Sequence, residues 1–128
     1  MGHYLIDNNV IANYFARVFS DKARIFISEI INTKPVLSVI TKIEALSWRS
    51  SNNEKKEEAV KLLVDYSQII PLYDNIVEKC IEIRRNHRIK TPDAIIAATA
   101  IVHNLTLLTS DADFNNIPDL KIINPLVL

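Results

Sequence analysis

The sequence predicts a three-layer α/β/α sandwich with a mainly parallel central sheet. Short apolar runs alternate with longer amphipathic segments along all 128 residues. This alternation is typical of parallel strands joined by helices, because a parallel connection has to cross from one end of the sheet to the other. Hydrophobic residues make up 48% and charged residues 23% of the chain, a balance typical of an ordinary globular protein. One domain over residues 1–128 is therefore expected.

Five strands are predicted where short apolar runs are bounded by polar residues. They cover residues 3–6, 36–38, 69–72, 106–109 and 121–123. Four helices are predicted between the first and third of these strands, from capping residues and from apolar positions that recur every three or four residues. The candidate caps are Asn8 or Asn9, Asp21, Ser38 or Thr41, and Ser51 with Glu54 as a capping box. The apolar faces expected to be buried are Val10, Ile11, Tyr14, Phe15, Val18 and Phe19; Ile25, Phe26 and Ile30; Ile43, Leu46 and Trp48; and Val60, Leu63, Val64 and Tyr66.

Two more helices are predicted before the fourth strand. Asp74 can cap the fifth helix, whose inward residues are expected to be Ile76, Val77, Cys80, Ile81 and Ile83. Thr91 can cap the sixth helix with Pro92 as its first residue, because proline is favoured at the first helical position. Residues 93–103 are almost all apolar or small, so this helix is expected to be buried on most of its circumference. Asn104 is expected to end it in the left-handed conformation that glycine would otherwise supply.

Charge, cysteine and glycine content exclude several classes of protein. The formal net charge is zero at pH 7, which excludes a basic surface all round but allows a local basic patch. The one cysteine, Cys80, cannot form an internal disulfide, which fits the reducing cytoplasm. No apolar stretch approaches the length that spans a bilayer, so no membrane partner is expected. Gly2 is the one glycine, which excludes the glycine-rich phosphate loops of nucleotide-binding folds.

Four acidic residues stand where an apolar run gives way to a helix or loop: Asp7, Glu44, Asp93 and Asp111. The carboxyl ends of parallel strands and the helix starts beside them line one edge of a sheet, so the four acids are expected to meet there. Two unit charges about 4 Å apart repel by roughly 4 kcal/mol at an effective dielectric near 20. Such a cluster requires a divalent cation or raised pKa values, and the first possibility points to metal-dependent phosphate chemistry.

Each acid also has a simpler structural role. Asp7 could cap a helix or a turn, and Asp93 lies in the first turn of a helix, where any carboxylate gains roughly 0.3–1 kcal/mol from the macrodipole. Glu44 has the spacing of a capping box with the threonine three residues before it. Asp111 and Asp113 could shape the turn after the fourth strand. The joint placement of the acids at the sheet edge is what favours a functional site.

Four segments of the chain resemble a known family. They are Tyr4-Leu5-Ile6-Asp7-Asn8-Asn9-Val10-Ile11, Ser38-Val39-Ile40-Thr41-Lys42-Ile43-Glu44-Ala45-Leu46, Pro92-Asp93-Ala94-Ile95-Ile96-Ala97-Ala98-Thr99-Ala100 and Leu108-Thr109-Ser110-Asp111-Ala112-Asp113-Phe114. In this order and spacing the chain resembles the PIN-domain ribonucleases that serve as VapC toxins in bacterial toxin–antitoxin pairs. The resemblance covers residues 4–123. Asn8 departs from the usual Asp-Thr-Asn opening, and Asn104 stands near a usual glycine.

The resemblance implies a site, a cofactor and partners. The catalytic and metal-binding acids would be Asp7, Glu44, Asp93 and Asp111, with Asp113 as an alternate metal ligand and with Asn9 and Thr109 as supporting polar residues. The cofactor would be Mg²⁺ or Mn²⁺, the substrate RNA, and the partners a cognate antitoxin protein and a second copy of the chain. The chemistry agrees, because these cations prefer oxygen ligands and promote phosphodiester hydrolysis. A nuclease of RNA processing without an antitoxin, or an inactive binding module, are the alternatives.

One basic run and several aromatic residues have two interpretations each. The run contains Arg84, Arg85, Arg88 and Lys90, which could hold RNA phosphates or could suit the carboxyl-terminal dipole of the fifth helix. The aromatic residues are Phe19, Phe26, Trp48 and Tyr66, for which core packing is the first interpretation and a protein interface the second.

Overall fold

The computed structural model describes residues 3–49 and 53–128, and within them five strands form one parallel sheet. The strands are β1 (Tyr4–Ile6), β2 (Val36–Ser38), β3 (Gln68–Ile70), β4 (Thr106–Leu108) and β5 (Ile122–Ile123). The helices are α1 (Asn8–Phe15), α2 (Asp21–Thr33), α3 (Val39–Ser47), α4 (Glu54–Tyr66), α5 (Asp74–Asn86) and α6 (Thr91–Val102). Short 3₁₀ helices cover Ala112–Phe114 and Pro125–Val127.

The strand order is β3-β2-β1-β4-β5, with β1 in the middle. The chain runs outward from β1 through β2 to β3 and then returns to the other side of β1 as β4. The direction of winding therefore reverses between β1 and β4, and in open parallel sheets ligands bind beyond the strand carboxyl ends at such a reversal. Asp7 and Thr109 are the residues that follow these two strands.

Two hydrophobic cores lie on opposite faces of the sheet. Alternate strand residues point to opposite faces, so Leu5 and Leu107 enter one core while Ile6 and Leu108 enter the other. The first core is completed mainly by α5 and α6 and the second mainly by α1, α2 and α4. The predicted α/β/α sandwich with a parallel central sheet is thus confirmed.

The predicted features of α6 and its end are confirmed. Every residue from Ala94 to Ala100 is buried, so the helix lies within the first core on most of its circumference. Asn104 has a φ of 53°, the left-handed conformation that ends the helix. Cys80 is buried in the same core as a free thiol. No helix in the described residues is both long and apolar enough to cross a bilayer.

Several predicted helix caps were wrong, each by one or two residues. The cap of α1 is Asp7 rather than Asn8 or Asn9, and the cap of α2 is Ser20 rather than Asp21. Tyr73 and Lys90 precede α5 and α6 without a side-chain cap, so Asp74 and Thr91 are first helical residues instead. An aspartate in the first turn still suits the helix dipole, which is why such a residue resembles a cap in sequence. The predicted capping box of Ser51 with Glu54 lies partly outside the described residues, and the cap of α4 is Asn53.

Seven residues predicted to be buried are exposed instead. They are Val18, Ile25, Ile43, Leu46, Trp48, Tyr66 and Ile81. Val18 lies beyond the end of α1, and α3 buries Thr41 and Ala45, which places its bulky apolar residues on the outer face. Phe19 is buried and Phe26 packs against the second core, so the core interpretation holds for these two aromatic residues.

Candidate acidic active site

Asp7 is buried at the reversal of the sheet, with 6% of its surface exposed. Its backbone N–H donates to the carbonyl of Leu108 at 3.0 Å, which extends the pairing of β1 with β4 by one residue. Its Oδ1 accepts from the backbone N–H of Asn8 at 2.9 Å and so caps α1. Its Oδ2 accepts from the Thr109 hydroxyl at 2.8 Å and from Asn9 Nδ2 at 3.0 Å. The helix-cap role is therefore real, and it fixes this carboxylate at the sheet edge.

Three further aspartates form the tightest acidic group among the described residues. Asp93, Asp111 and Asp113 each offer a carboxylate oxygen, and these oxygens lie within 4.8 Å of one another. Asp93 stands in the first turn of α6, while Asp111 and Asp113 come from the loop and 3₁₀ helix that follow β4. Asp111 Oδ1 accepts from the backbone N–H of Asp113 at 2.9 Å, so the predicted turn-shaping role of Asp111 is also real.

Glu44 lies on the exposed side of α3 and faces the same acidic group. The helix begins at Val39 with Ser38 as its cap, so Glu44 is too far along the helix to form the capping box with Thr41. Partial burial raises the pKa of Glu44, and the charges of Asp7 and Asp93 raise it further. Because the charges of Asp7 and Asp93 raise the pKa of Glu44, its carboxylate belongs to the same acidic group.

The pKa values of Asp7, at the end of β1, and of Asp93, in the first turn of α6, are also raised. Burial is the largest cause for Asp7: it raises the pKa, the hydrogen bonds from Thr109 and Asn8 lower it, and the charge of Asp111 raises it. Burial likewise raises the pKa of Asp93, followed by the charges of Asp111, Asp7 and Asp113, while Lys90 lowers it. These mutual repulsions link five carboxylates from four separate segments into one cluster.

The polar residues beside Asp7 are joined in one network. Asn9 Nδ2 donates to Thr109 Oγ1 at 3.1 Å, and the backbone N–H of Asp111 donates to the same oxygen at 3.1 Å. Asn9 Oδ1 accepts from the backbone N–H and the hydroxyl of Ser110, both at 3.2 Å. The sequence did not identify Ser110 as a site residue. Its position between Thr109 and Asp111 was the one feature that could have indicated this role.

The basic residues take different positions relative to the acids. Lys90 immediately precedes α6, and its charge acts on Asp93. Arg84 donates through Nε to the carbonyl of Ile89 at 3.2 Å, which holds it against the loop between α5 and α6. Arg84 and Arg85 line a groove of about 530 Å³ that also contains Thr91, at the start of α6. Arg88 is exposed, without a described contact to the acids.

This donor set fits a hard divalent cation. Every side chain of the cluster offers carboxylate oxygens, which are the ligands that Mg²⁺ and Mn²⁺ prefer. Among the groups that shift the pKa values of the acids, Lys90 is the one cation. The Thr41 hydroxyl, one helical turn before Glu44, is buried and has no hydrogen-bond partner in the described part of the chain. A cation would remove the repulsion that this arrangement creates.

Several solved structures are similar to the chain over almost its whole length. A chain of a toxin–antitoxin complex from Klebsiella pneumoniae is 27% identical, with a TM-score of 0.74 over 95% of this chain and 97% of that one. A chain of FitAcB from Neisseria gonorrhoeae is 25% identical, with a TM-score of 0.73 over 98% and 99%. A chain of VapBC2 from Rickettsia felis, crystallised with promoter DNA, shares the fold at 21% identity, with a TM-score of 0.77 over 94% and 97%.

The comparison of sequences is decisive for the family. No curated protein sequence matches the chain. The family described as PIN domain matches residues 4–120, almost the whole length and all four acidic segments. The resemblance seen in the sequence motifs is therefore confirmed, and the chain belongs to the PIN domain family.

Proposed function

We propose that the protein is a metal-dependent endoribonuclease that acts in the cytoplasm as the toxin of a toxin–antitoxin pair. The observation that carries the proposal is the cluster of Asp7, Glu44, Asp93, Asp111 and Asp113, drawn from four segments of a PIN domain. Membership of this family supports a nuclease. The toxin–antitoxin complex from Klebsiella pneumoniae, one chain of which is 27% identical, supports the toxin role.

The roles of the residues follow from their positions. The five acids would hold Mg²⁺ or Mn²⁺, which when bound supplies charge stabilisation for hydrolysis of the RNA phosphodiester. Asp7 is the most rigidly held of them, because its carboxylate accepts three hydrogen bonds. Glu44 and Asp113 are exposed, which leaves the site open to a long RNA strand. Lys90, beside Asp93, would attract the RNA phosphates. The same role is proposed for Arg84, Arg85 and Arg88.

A second groove, lined by apolar residues, supports the antitoxin partner. It has a volume of about 220 Å³ between α1, α3 and α4, and its walls include Ile11, Phe15, Trp48 and Val60. Asn8, the neighbour of Asp7, also lines it, so a peptide in this groove would pass close to the acidic cluster. We propose that an apolar segment of the antitoxin occupies the groove. This would explain why Trp48 is exposed on a surface otherwise suited to burial.

A homodimer is the last element of the proposal. Leu72 and Ile81 are about half exposed and line the apolar groove between α5 and α6. Exposed apolar surface of this kind is a feature of protein interfaces. Sedimentation equilibrium of the purified protein would give the oligomeric state directly. A monomer at all concentrations would remove the dimer from the proposal.

The central experiment pairs toxicity with cleavage. Asp7→Asn and Asp93→Asn should abolish both growth inhibition and RNA cleavage in Mg²⁺ or Mn²⁺, because each removes one charge from the cluster. Asp21→Asn is a matched control, since Asp21 is exposed in the first turn of α2 and lies outside the cluster. Variants as active as the wild type would overturn the proposal. Thermal unfolding of each variant separates a loss of chemistry from a loss of folding.

A further inference from the structure

We propose that Ser110, acting through Asn9, is a positioning residue that helps to hold the Asp7 carboxylate with its Oδ1 available to a divalent cation. This inference rests on the proposed function, because it concerns the cation site of the nuclease. Its basis is a set of hydrogen bonds that joins the first turn of α1 to the residues after β4.

The side-chain amide of Asn9 is fully hydrogen-bonded. Its Nδ2 donates to Asp7 Oδ2 at 3.0 Å and to Thr109 Oγ1 at 3.1 Å. Its Oδ1 accepts from the backbone N–H and from the hydroxyl of Ser110, both at 3.2 Å. An asparagine amide has two donor hydrogens and two acceptor lone pairs, so each of them has a partner here.

Ser110 holds that amide in place. A half-turn of the amide would bring Asn9 Oδ1 against the carboxylate of Asp7 and Nδ2 against the backbone N–H of Ser110. Both new contacts would be repulsive, so the carboxylate and this N–H favour the orientation in which Asn9 donates to Asp7. The Ser110 hydroxyl can donate or accept, so its bond to Asn9 Oδ1 restrains the position of the amide in the favoured orientation. Any residue at position 110 supplies the backbone donor, but this second bond needs a hydroxyl.

The two oxygens of Asp7 are unequal as a result. Oδ2 accepts from Asn9 and from Thr109, whereas Oδ1 accepts only from the backbone N–H of Asn8 among the bonds described. An ionised carboxylate offers about four lone-pair sites, two on each oxygen. The protein occupies three of them, and the remaining one belongs to Oδ1. Oδ1 is thus the oxygen that Asp7 presents to a cation, and Asn9 keeps the carboxylate from rotating away.

Substitutions of Asn9 and Ser110 are expected to weaken Mn²⁺ binding to different extents. Loss of a partner that orients a ligating side chain commonly weakens metal binding about 10–100-fold. Asn9→Ala should weaken binding of Mn²⁺ within that range. Ser110→Ala removes one of the two hydrogen bonds to Asn9 Oδ1. It should weaken Mn²⁺ binding about tenfold, the lower limit of that range. Asn75→Ala is a matched control, because Asn75 is also the second residue of a helix, α5, but is exposed and outside the hydrogen-bond network that joins Asn9, Thr109 and Ser110 to Asp7.

The experiment uses the purified full chain and Mn²⁺ alone as the probe. Calorimetric titration gives the dissociation constant, and thermal unfolding without Mn²⁺ gives the stability of each variant. A positioning role predicts weaker Mn²⁺ binding in Ser110→Ala with little change in cation-free stability, whereas a merely structural role lowers the stability and leaves the affinity unchanged. Asn75→Ala should bind Mn²⁺ as the wild type does.

The outcomes separate this inference from the proposed function. A wild type that binds neither Mn²⁺ nor Mg²⁺ would overturn the proposed function itself. A wild type that binds Mn²⁺, with unchanged affinity in Asn9→Ala and Ser110→Ala, would overturn the positioning role and leave the nuclease proposal standing. Weaker binding in Asn9→Ala alone would remove Ser110 from the proposal. If Asn9→Ala does not fold, Ser110→Ala decides the question alone, because it removes a single hydroxyl.

Discussion

Thr109 and Asp7 are 102 residues apart in sequence and are joined by a hydrogen bond of 2.8 Å between the threonine hydroxyl and the aspartate carboxylate. The bond connects the ends of β4 and β1, the two strands between which the winding of the sheet reverses. Thr109 is 1% exposed and also accepts from Asn9 and from the backbone of Asp111. One hydroxyl therefore joins two segments of the acidic cluster, residues 7–9 and residues 109–111.

Thr109→Val should destabilise the protein by about 1–3 kcal/mol, because it removes a donor from a buried carboxylate and leaves two N–H donors without their acceptor. Thr109→Ser keeps the hydroxyl and should cost less, roughly 1 kcal/mol for the lost methyl group. Urea unfolding of both variants in the absence of divalent cations measures the difference. Equal stability of the two would contradict the importance assigned to the hydroxyl.

Asp93→Asn should make the cation-free protein more stable, although it inactivates the proposed enzyme. The neighbouring acids Asp111, Asp7 and Asp113 all repel the charge of Asp93. Since the site is partly open to water, the repulsion relieved is about 1 kcal/mol, which corresponds to a rise in Tm of about 2–5 °C. Thermal unfolding in EDTA would test this, with Asp21→Asn as the control. A lower Tm for Asp93→Asn would contradict the repulsion inferred among these acids.

The stability of the cation-free protein should fall as the pH rises above the ordinary carboxyl pKa of about 4. Burial and mutual repulsion raise the pKa values of Asp7, Glu44 and Asp93 in the folded state. In the window between the ordinary and the raised pKa values, the folded state binds more protons than the unfolded state. The free energy of unfolding therefore decreases with pH through that window.

Saturating Mg²⁺ should reverse that pH dependence. A bound cation keeps the acids ionised in the folded state, so the unfolded state then binds more protons and stability rises with pH. Unfolding curves between pH 4 and 8, with Mg²⁺ and with EDTA, compare the two slopes. Identical slopes would contradict a cation site built from these acids.

The sequence predicted the sheet and the acidic segments because both depend on local signals. Short apolar strands were found within one or two residues, and the left-handed Asn104 followed from its place after a helix. The acids were found because each follows a strand or starts a helix. Which acids lie closest was not predictable, because it depends on side-chain directions. Asp113, the less favoured alternate, lies in the tightest group with Asp93 and Asp111, whereas Asp7 and Glu44 lie outside it.

The outer faces of α3 and α5 could not be predicted correctly from the sequence. Trp48 and Ile81 belong to apolar patterns that resemble core positions, yet both are exposed. Periodicity shows that a residue belongs to an apolar face and does not show what covers that face. Ser110 was missed for a related reason, since its two bonds go to a side chain 101 residues away.

Lys90→Ala should weaken binding of single-stranded RNA and reduce its salt dependence. One phosphate contact contributes about 0.7 to the slope of log affinity against log salt concentration for single strands. Binding can be measured without cleavage in an Asp7→Asn background, over a range of salt concentrations. Lys22→Ala is the control, because Lys22 is exposed on α2 and is not among the charges that shift the pKa values of Asp7, Glu44 and Asp93. A slope that is unchanged in Lys90→Ala would exclude a phosphate contact at this residue.

Ala12→Arg should weaken binding of the proposed antitoxin without affecting the proposed RNA cleavage. Ala12 is exposed and lines the groove of about 220 Å³ between α1, α3 and α4, which an arginine side chain would obstruct. Loss of a central apolar contact in an interface commonly costs more than about 1.4 kcal/mol, so the affinity should fall at least about tenfold. Trp48 is the one tryptophan of the chain and lines the same groove, so its fluorescence reports binding.

The partner for this titration would be the protein encoded by a neighbouring reading frame, in a tryptophan-free form. In the wild type, its binding should shift the Trp48 emission to shorter wavelengths and inhibit cleavage, because the exposed indole becomes buried. Leu62→Arg is the matched control, since Leu62 is 70% exposed on α4 and is not part of the groove lining. If Ala12→Arg were inhibited as fully as the wild type and Leu62→Arg were not, the antitoxin would bind on the outer face of α4 instead.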